Sequence, residues 1–245
     1  MANPVALITG GAKRIGAAVA ELLHRQDFNI VLHYRHSQAE ANMLGERLNR
    51  ARANSCVLVQ ANLSNMAELQ SLAQSTIQSW GRLDALINNA SSFYPTPLAN
   101  ATEAQWDDIM ASNLKAPFFL AQQLAPALKK QRGCIINMAD IYADRPLPQH
   151  SIYSIAKAAN VMLTQSLAQE LAPEVRSNGI APGAILWPEQ EPLSDAAKKA
   201  LLDKIPLQHC GSPQDIANTI LFLLRDAPYI NGQIITVDGG RNLTI

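Results

Sequence analysis

Short runs that are apolar at consecutive positions recur along this chain, separated by longer amphipathic stretches. Val5-Ala6-Leu7-Ile8 is the first; Asn29 to Tyr34, Ser55 to Gln60, Leu83 to Ile87, Gly133 to Met138 and Gln233 to Val237 follow, and the more polar Glu174 to Ile180 is read as a further strand. A strand with one face in water alternates polar and apolar residues, so runs that are apolar throughout read as strands buried on both faces. Helical periodicity fills the intervals near 15–26, 38–51, 65–79, 103–130, 151–171 and 213–225. Strands alternating with helices give a parallel sheet covered on two sides. Right-handed crossovers then make this an α/β chain with a single doubly wound Rossmann-type domain and a seven-stranded, mainly parallel sheet. The chain has 245 residues, 48% of them apolar, which suits one large core. No linker, repeat or low-complexity tract divides 1–245, so one domain is expected.

Charge excludes several partners. Twenty lysines and arginines balance twenty aspartates and glutamates. Without a basic excess there is no field to attract nucleic acid or an anionic membrane, and any anion site must be built locally. No apolar run approaches the length of a membrane span. The start, Met-Ala-Asn-Pro-Val-Ala-Leu-Ile-Thr-Gly, has no basic residue and does not read as a signal peptide. Cys56, Cys134 and Cys210 are widely spaced, with no Cys-x-x-Cys, and read as small apolar residues in a reducing compartment rather than disulfide or metal ligands. A soluble, cytoplasmic protein with no metal is expected.

Thr9-Gly10-Gly11-Ala12-Lys13-Arg14-Ile15-Gly16 follows the first strand and opens the first helix. A helix N-terminus offers free N–H groups and a positive dipole to phosphate, which gives a glycine-rich turn in this place its meaning. Gly10 permits the tight turn and Gly16 close helix–strand packing. Arg14 occupies the middle position, where its side chain would meet phosphate. The second strand ends His33-Tyr34-Arg35-His36-Ser37, with no acid to hold ribose hydroxyls. Arg35 and Ser37, assisted by Lys13 or His36, suit a 2′-phosphate instead, so NADPH is expected over NADH. A solvated basic patch is the plainer alternative. After the third strand Ala61-Asn62-Leu63-Ser64 can present the Asn62 amide to adenine, and after the fourth Asn88-Asn89-Ala90 lies beside the expected cleft; turn chemistry explains both nearly as well.

Tyr153 and Lys157 stand four apart on a predicted helix and so share a face. An ammonium beside a phenol lowers the phenol's pKa, which makes a proton donor usable near neutral pH. The same spacing also fits an ordinary solvated pair. Thirteen residues before the tyrosine stands Asp140. The proline- and acid-rich stretch 184–193, followed by a helical patch at 194–203, reads as a lid over a site or as a plain surface insertion.

Taken together, Thr9-Gly10-x-x-x-Arg14-x-Gly16, Asn88-Asn89-Ala90, Asn113, Tyr153/Lys157, Pro182-Gly183 and Val237-Asp238-Gly239-Gly240 resemble the short-chain dehydrogenase/reductase family over essentially the whole chain. Arg14 stands where that family usually has glycine, Asp140 where it usually has serine, and Ser91 where a glycine usually follows Asn-Asn-Ala. These departures, with Ser91-Ser92-Phe93, Asn137-Met138-Ala139-Asp140 and the closing Asn242-Leu243-Thr244, are similar to the pteridine reductase branch. The resemblance implies NADPH-dependent pterin reduction, often by a homotetramer. It implies a catalytic group of Asn113, Asp140, Tyr153 and Lys157, with Lys157 also holding the nicotinamide ribose and Asn113 kinking its helix. Phe93 would stack on the pterin, with Ser91 and Arg14 touching pterin or cofactor. Gly10, Arg14, Ile15, Gly16, Tyr34, Arg35, His36, Ser37, Asn62, Leu63, Asn89, Ala90, Ser91 and Met138 would line the cofactor. Pro182, Gly183 and Ile185 would close that side, Ile185 through backbone N–H alone.

The residue at 140 separates chemistries. A serine hydroxyl donates to a carbonyl oxygen that is gaining charge, whereas a carboxylate repels that charge. Reduction of a ring C=N leaves no lasting oxyanion, and a carboxyl group can relay the proton and accept hydrogen bonds from pterin N–H groups. A structural cap after the fifth strand is the plain alternative for Asp140, and core packing for Phe93. The competing functions are a carbonyl or 3-oxoacyl-carrier-protein reductase and a non-catalytic NADPH-binding protein.

Overall fold

The computed structural model describes residues 3–185 and 194–244. Strand β1 (Val5–Ile8) is wholly buried. Its side chains divide by the strand's period of two: Ala6 and Ile8 enter one apolar layer, Val5 and Leu7 the other. The first layer is completed by Val19 and Leu23 of α1 (Arg14–Arg25) and by Ile216, Ile220 and Leu223 of α8 (Pro213–Arg225). Leu69 and Leu72 of α3 (Met66–Trp80), Leu120, Leu124 and Leu128 of α5 (Ala116–Gln131), and Leu163 and Leu167 of α6 (Ser151–Glu170) complete the second.

The other strands are β2 (Asn29–Tyr34), β3 (Cys56–Gln60), β4 (Ala85–Asn88), β5 (Cys134–Met138), β6 (Arg176–Pro182) and β7 (Ile234–Val237). They form one seven-stranded sheet in the order β3-β2-β1-β4-β5-β6-β7. Every pairing is parallel, so the sheet is all-parallel rather than mainly parallel. Each predicted strand has its counterpart, and the ends differ by a residue or two because ladder partners set them; β4, for example, opens where Ala85 meets Cys134. Strand order reverses between β1 and β4. The carboxyl ends there diverge and leave the crevice in which such sheets place ligands.

The helical pattern at 103–130 is not one straight helix. It divides into α4 (Glu103–Met110), a π-helical turn at Ala111–Lys115 and α5, with Asn113 in the π turn. Extra residues of this kind aim side chains that a regular helix could not. Helix α2 (Gln38–Ala51) matches its predicted bounds, and α7 (Asp195–Leu202) matches the patch at 194–203. Most of the 184–193 stretch, at 186–193, lies outside the described residues. No helix among the described residues is long and apolar enough to cross a membrane, and no cluster of metal-ligating side chains occurs among them. The cysteines are free, Cys56 and Cys134 buried and Cys210 half-buried.

Candidate active site

At the β1–β4 switch point lies a cleft of 580 Å³. Its glycine turn is built from backbone and from neighbours that hold it. Gly10 has φ +60°, a left-handed bend that glycine adopts without strain. A Cβ on Gly16 would lie 2.3 Å from Gly10 O, so only glycine lets α1 approach the turn this closely. Asn89 Nδ2 donates to Thr9 O and Gly10 O at 2.9 and 3.0 Å, and the Thr9 hydroxyl accepts from Asn89 and Ala90 N–H. From β2, the buried His33 accepts the Gly10 N–H on Nδ1 at 3.1 Å and reaches Ala61 O with Nε2 at 3.0 Å. Those two partners require a neutral ring protonated on Nε2, and burial accordingly lowers the His33 pKa to about 4. The sequence reading missed this brace, because nothing local marks a histidine as the partner of a turn 23 residues away.

The N-terminus of α1 is left open. Its N-cap, Lys13, makes no side-chain capping bond, and the first turn carries no acid. The free N–H groups and Arg14, Ile15 and Gly16 face the cleft, which fits a dinucleotide's phosphates. Arg14 has φ +52°, a left-handed conformation costly for a side-chain-bearing residue. Strain accepted at this position supports a role for its exposed side chain.

Tyr34, Arg35, His36, Ser37, Asn62 and Leu63 line the same cleft. Ser37 makes no side-chain cap to α2, so its hydroxyl remains available. Arg35 pairs with Asp108 of α4 at 3.5 Å, and Lys13 with Glu40 at 2.6 Å. Both are exposed pairs of the kind that contribute little to stability and exchange readily for a phosphate. Asn62 turns its Oδ1 to the Ser64 N–H, so part of its side chain serves the local turn.

The residues expected to be catalytic converge from three elements. The Tyr153 hydroxyl donates to Asp140 Oδ2 at 2.6 Å, and the Tyr142 N–H donates to Asp140 Oδ1 at 2.9 Å. Asp140 thus does cap a short 3₁₀ turn, Ile141–Ala143, but only one of its oxygens is spent there. One turn of α6 beyond Tyr153, the buried Lys157 donates to Met138 O at 2.7 Å. Asn113 accepts the Ser91 hydroxyl on Oδ1 at 2.7 Å, while its backbone carbonyl takes a hydrogen bond from Asn160 Nδ2 at 2.9 Å. Asn160 is a further buried partner that the sequence reading did not assign.

The electrostatics overturn one expectation. Tyr153 was predicted to have a lowered pKa; burial, and after it the adjoining Asp140, push it well above the ordinary phenol value. Lys157 does not reverse this. Its ammonium is directed at Met138 O, and burial lowers its own pKa to about 8 against the opposing pull of Asp140. Burial raises the Asp140 pKa, opposed by its bonds from Tyr153 and Tyr142 and by the charges of Lys157 and Arg241. The group is therefore a carboxyl–phenol pair in which the phenol keeps its proton and donates it to the carboxyl, rather than a phenol tuned toward phenolate.

Phe93 lines the cleft and is 54% exposed, so it is not a core residue. It stacks on His150 at 4.9 Å between ring centroids and meets Tyr153 edge-on at 4.8 Å. The Thr96 N–H donates to Gln149 O at 2.6 Å and fastens the same loop to the entrance of α6. His150 is a third side chain, after His33 and Asn160, that the sequence reading did not single out.

Met138, Pro182, Gly183 and Ile185 lie behind the lining of this cleft, as do Asn113, Asp140 and Lys157, of which Asn113 and Asp140 reach it through Ser91 and Tyr153. Met138 is buried in β5 and contributes its carbonyl to Lys157. A Cβ on Gly183 would meet Asp238 at 2.5 Å, so this glycine serves packing. Ile185 is buried and bridges to Gly211, whose N–H donates to Ala184 O at 2.9 Å.

Among known proteins, the family described as enoyl-(acyl carrier protein) reductase matches residues 10–242, nearly the full length. The chain belongs to the short-chain dehydrogenase/reductase family. Pteridine reductase 1 of Leishmania tarentolae is 38% identical, over 98% of this chain and 97% of that protein. The 3-oxoacyl-(acyl-carrier-protein) reductase FabG of Staphylococcus aureus is 35% identical, over 96% of each chain. The uncharacterized oxidoreductase YmfI of Bacillus subtilis is 31% identical, over 97% of this chain. The protein is an oxidoreductase of this family. Identity at such similar levels does not choose between the two substrates that the relatives' names carry.

Proposed function

We propose that the protein reduces a pterin ring C=N with NADPH. The observation that carries this reading is the 2.6 Å bond from the Tyr153 hydroxyl to Asp140. A carbonyl reductase benefits from a hydroxyl donor at this place, and a carboxylate there opposes a developing oxyanion. Protonation of a ring nitrogen has no such conflict.

The cofactor's pyrophosphate would lie on the α1 N-terminus and Arg14, and its 2′-phosphate on Arg35 and Ser37. When bound, it supplies the hydride that reaches a ring carbon next to the nitrogen. Lys157 would hold the nicotinamide ribose. Phe93, braced by His150, offers an aromatic face to the substrate beside Tyr153. As hydride arrives, the Tyr153 O–H bond breaks and a substrate N–H bond forms. Asp140 in its acid form returns a proton to the phenol through the same short contact and is itself reprotonated from solvent. Burial, by raising the Asp140 pKa, keeps that acid form accessible.

Carbonyl reduction of a 3-oxoacyl thioester is the second reading, favoured by the FabG relatives at comparable identity. A substrate panel separates the two. NADPH oxidation is expected to be fast with dihydropterins and negligible with acetoacetyl thioesters, and the opposite ranking would refute the pterin reading. Asp140→Ser is expected to lower pterin turnover at least a hundredfold while cofactor affinity stays within twofold. A homotetramer is part of the proposal, supported by exposed apolar side chains such as Phe118 on α5 and Ile155 and Met162 on α6. Light scattering that finds a monomer would remove it.

A further inference from the structure

Arg241 stands in the turn that follows β7. Asp238 folds this turn, its Oδ1 accepting the Gly240 N–H at 2.9 Å and its Oδ2 the Asn242 N–H at 2.6 Å. Gly240, at φ +86°, supplies the left-handed bend. The turn sets Arg241 Nη2 donating to the Tyr142 hydroxyl at 2.9 Å, with the guanidinium carbon 5.8 Å from the centre of the Tyr142 ring. At its other end Tyr142 donates its backbone N–H to Asp140 Oδ1, which leaves Oδ2 to Tyr153. No ion pair among the described residues uses Arg241, and its Nε is buried without a hydrogen-bond partner there. A guanidinium held in this way is costly unless its charge acts on something nearby.

We infer that Arg241, seated on Tyr142, is a positioning residue for the Asp140 carboxyl: it fixes which oxygen faces Tyr153 and stabilises the charged form from outside α6. The inference rests on the reading of Asp140 as a catalytic group and names what orients it. The groups facing Asp140 are Tyr153 and Lys157 from α6, Tyr142 from its own turn and Arg241 from the C-terminal turn. Removing one cation from this set raises the midpoint of the carboxyl, whichever protonation state the reaction uses.

The test is a carboxyl-carbon NMR titration of the uncomplexed protein, with the Asp140 signal assigned by its loss in Asp140→Asn. Arg241→Gln is expected to raise the midpoint by about half a pH unit or more, and Arg241→Lys to restore most of it. Tyr142→Phe keeps the ring and the backbone donor but frees the arginine, and is expected to move the midpoint the same way by less. The pH profile of kcat for dihydropterin reduction should shift in parallel. A midpoint that stays in place in both Arg241→Gln and Tyr142→Phe overturns the inference, whatever the activity. A midpoint that moves while the kcat profile does not overturns the catalytic reading of Asp140 and leaves the positioning intact.

Discussion

At the β1–α1 end of the cleft the ligand-facing groups are backbone N–H groups and exposed cations, whereas at the β5–α6 end they are side chains withdrawn from solvent. Arg35 and Lys13 are held by exposed carboxylates that a phosphate can replace. Tyr153 and Lys157 are 5% and 3% exposed, and both have displaced pKa values. Under the proposed function the first end would bind an anion already charged in water, which needs only donors in the right places. The second would hold a proton at one atom until it is used, which calls for a partly dry setting and fixed partners. On that reading affinity belongs to the backbone of one end, and reactivity to the buried side chains of the other.

Substitutions at the two ends should therefore fail in different ways. The largest effect is expected for Tyr153→Phe, a 10²–10⁴-fold loss in kcat with cofactor affinity retained, read by steady-state kinetics beside cofactor fluorescence titration. Parallel losses in both would erase the distinction between the ends. Next comes acid sensitivity through His33. Its pKa is about 4 in the fold against an ordinary 6.5, so the unfolded chain takes up its proton first as pH falls. That linkage removes about 3 kcal/mol of stability between pH 6.5 and 4, with nothing further gained above 6.5. Urea midpoints at pH 7 and 4.5 should show this loss, and His33→Gln should flatten it.

Gly16→Ala is smaller. Its Cβ would press on Gly10 O, and a shift of α1 should cost about 1–3 kcal/mol in thermal stability and weaken cofactor binding. If the variant binds the cofactor as the parent does, close approach at the turn is not what shapes this end. Smallest is Arg35→Ala, expected to raise KM for NADPH about tenfold and KM for NADH by less than twofold. Equal effects on both would take Arg35 out of the 2′-phosphate site.

Most of the nucleotide end was legible in the chain itself. The strand, the glycines and the helix start are contiguous, and their period and turn chemistry are local properties. The Tyr153–Lys157 spacing was legible for the same reason. The protonation of the pair was not. Sequence spacing suggested that Lys157 governs Tyr153, but the phenol points to Asp140 and the ammonium to Met138 O, an arrangement set by how β5 and α6 pack.

By itself, then, the sequence determined that a seven-stranded doubly wound sheet would carry a glycine turn at the start of its first helix, and that an acid, a tyrosine and a lysine would gather beyond β5. Hydrophobic period and backbone geometry reach only a few residues, and these features need no more. Tertiary structure decided which oxygen of Asp140 faces the phenol, how His33 braces the turn, why Phe93 rests on His150 and where Arg241 lies. Each of these depends on groups brought together across the sheet, where distance and burial, rather than spacing along the chain, set the strength of a charge.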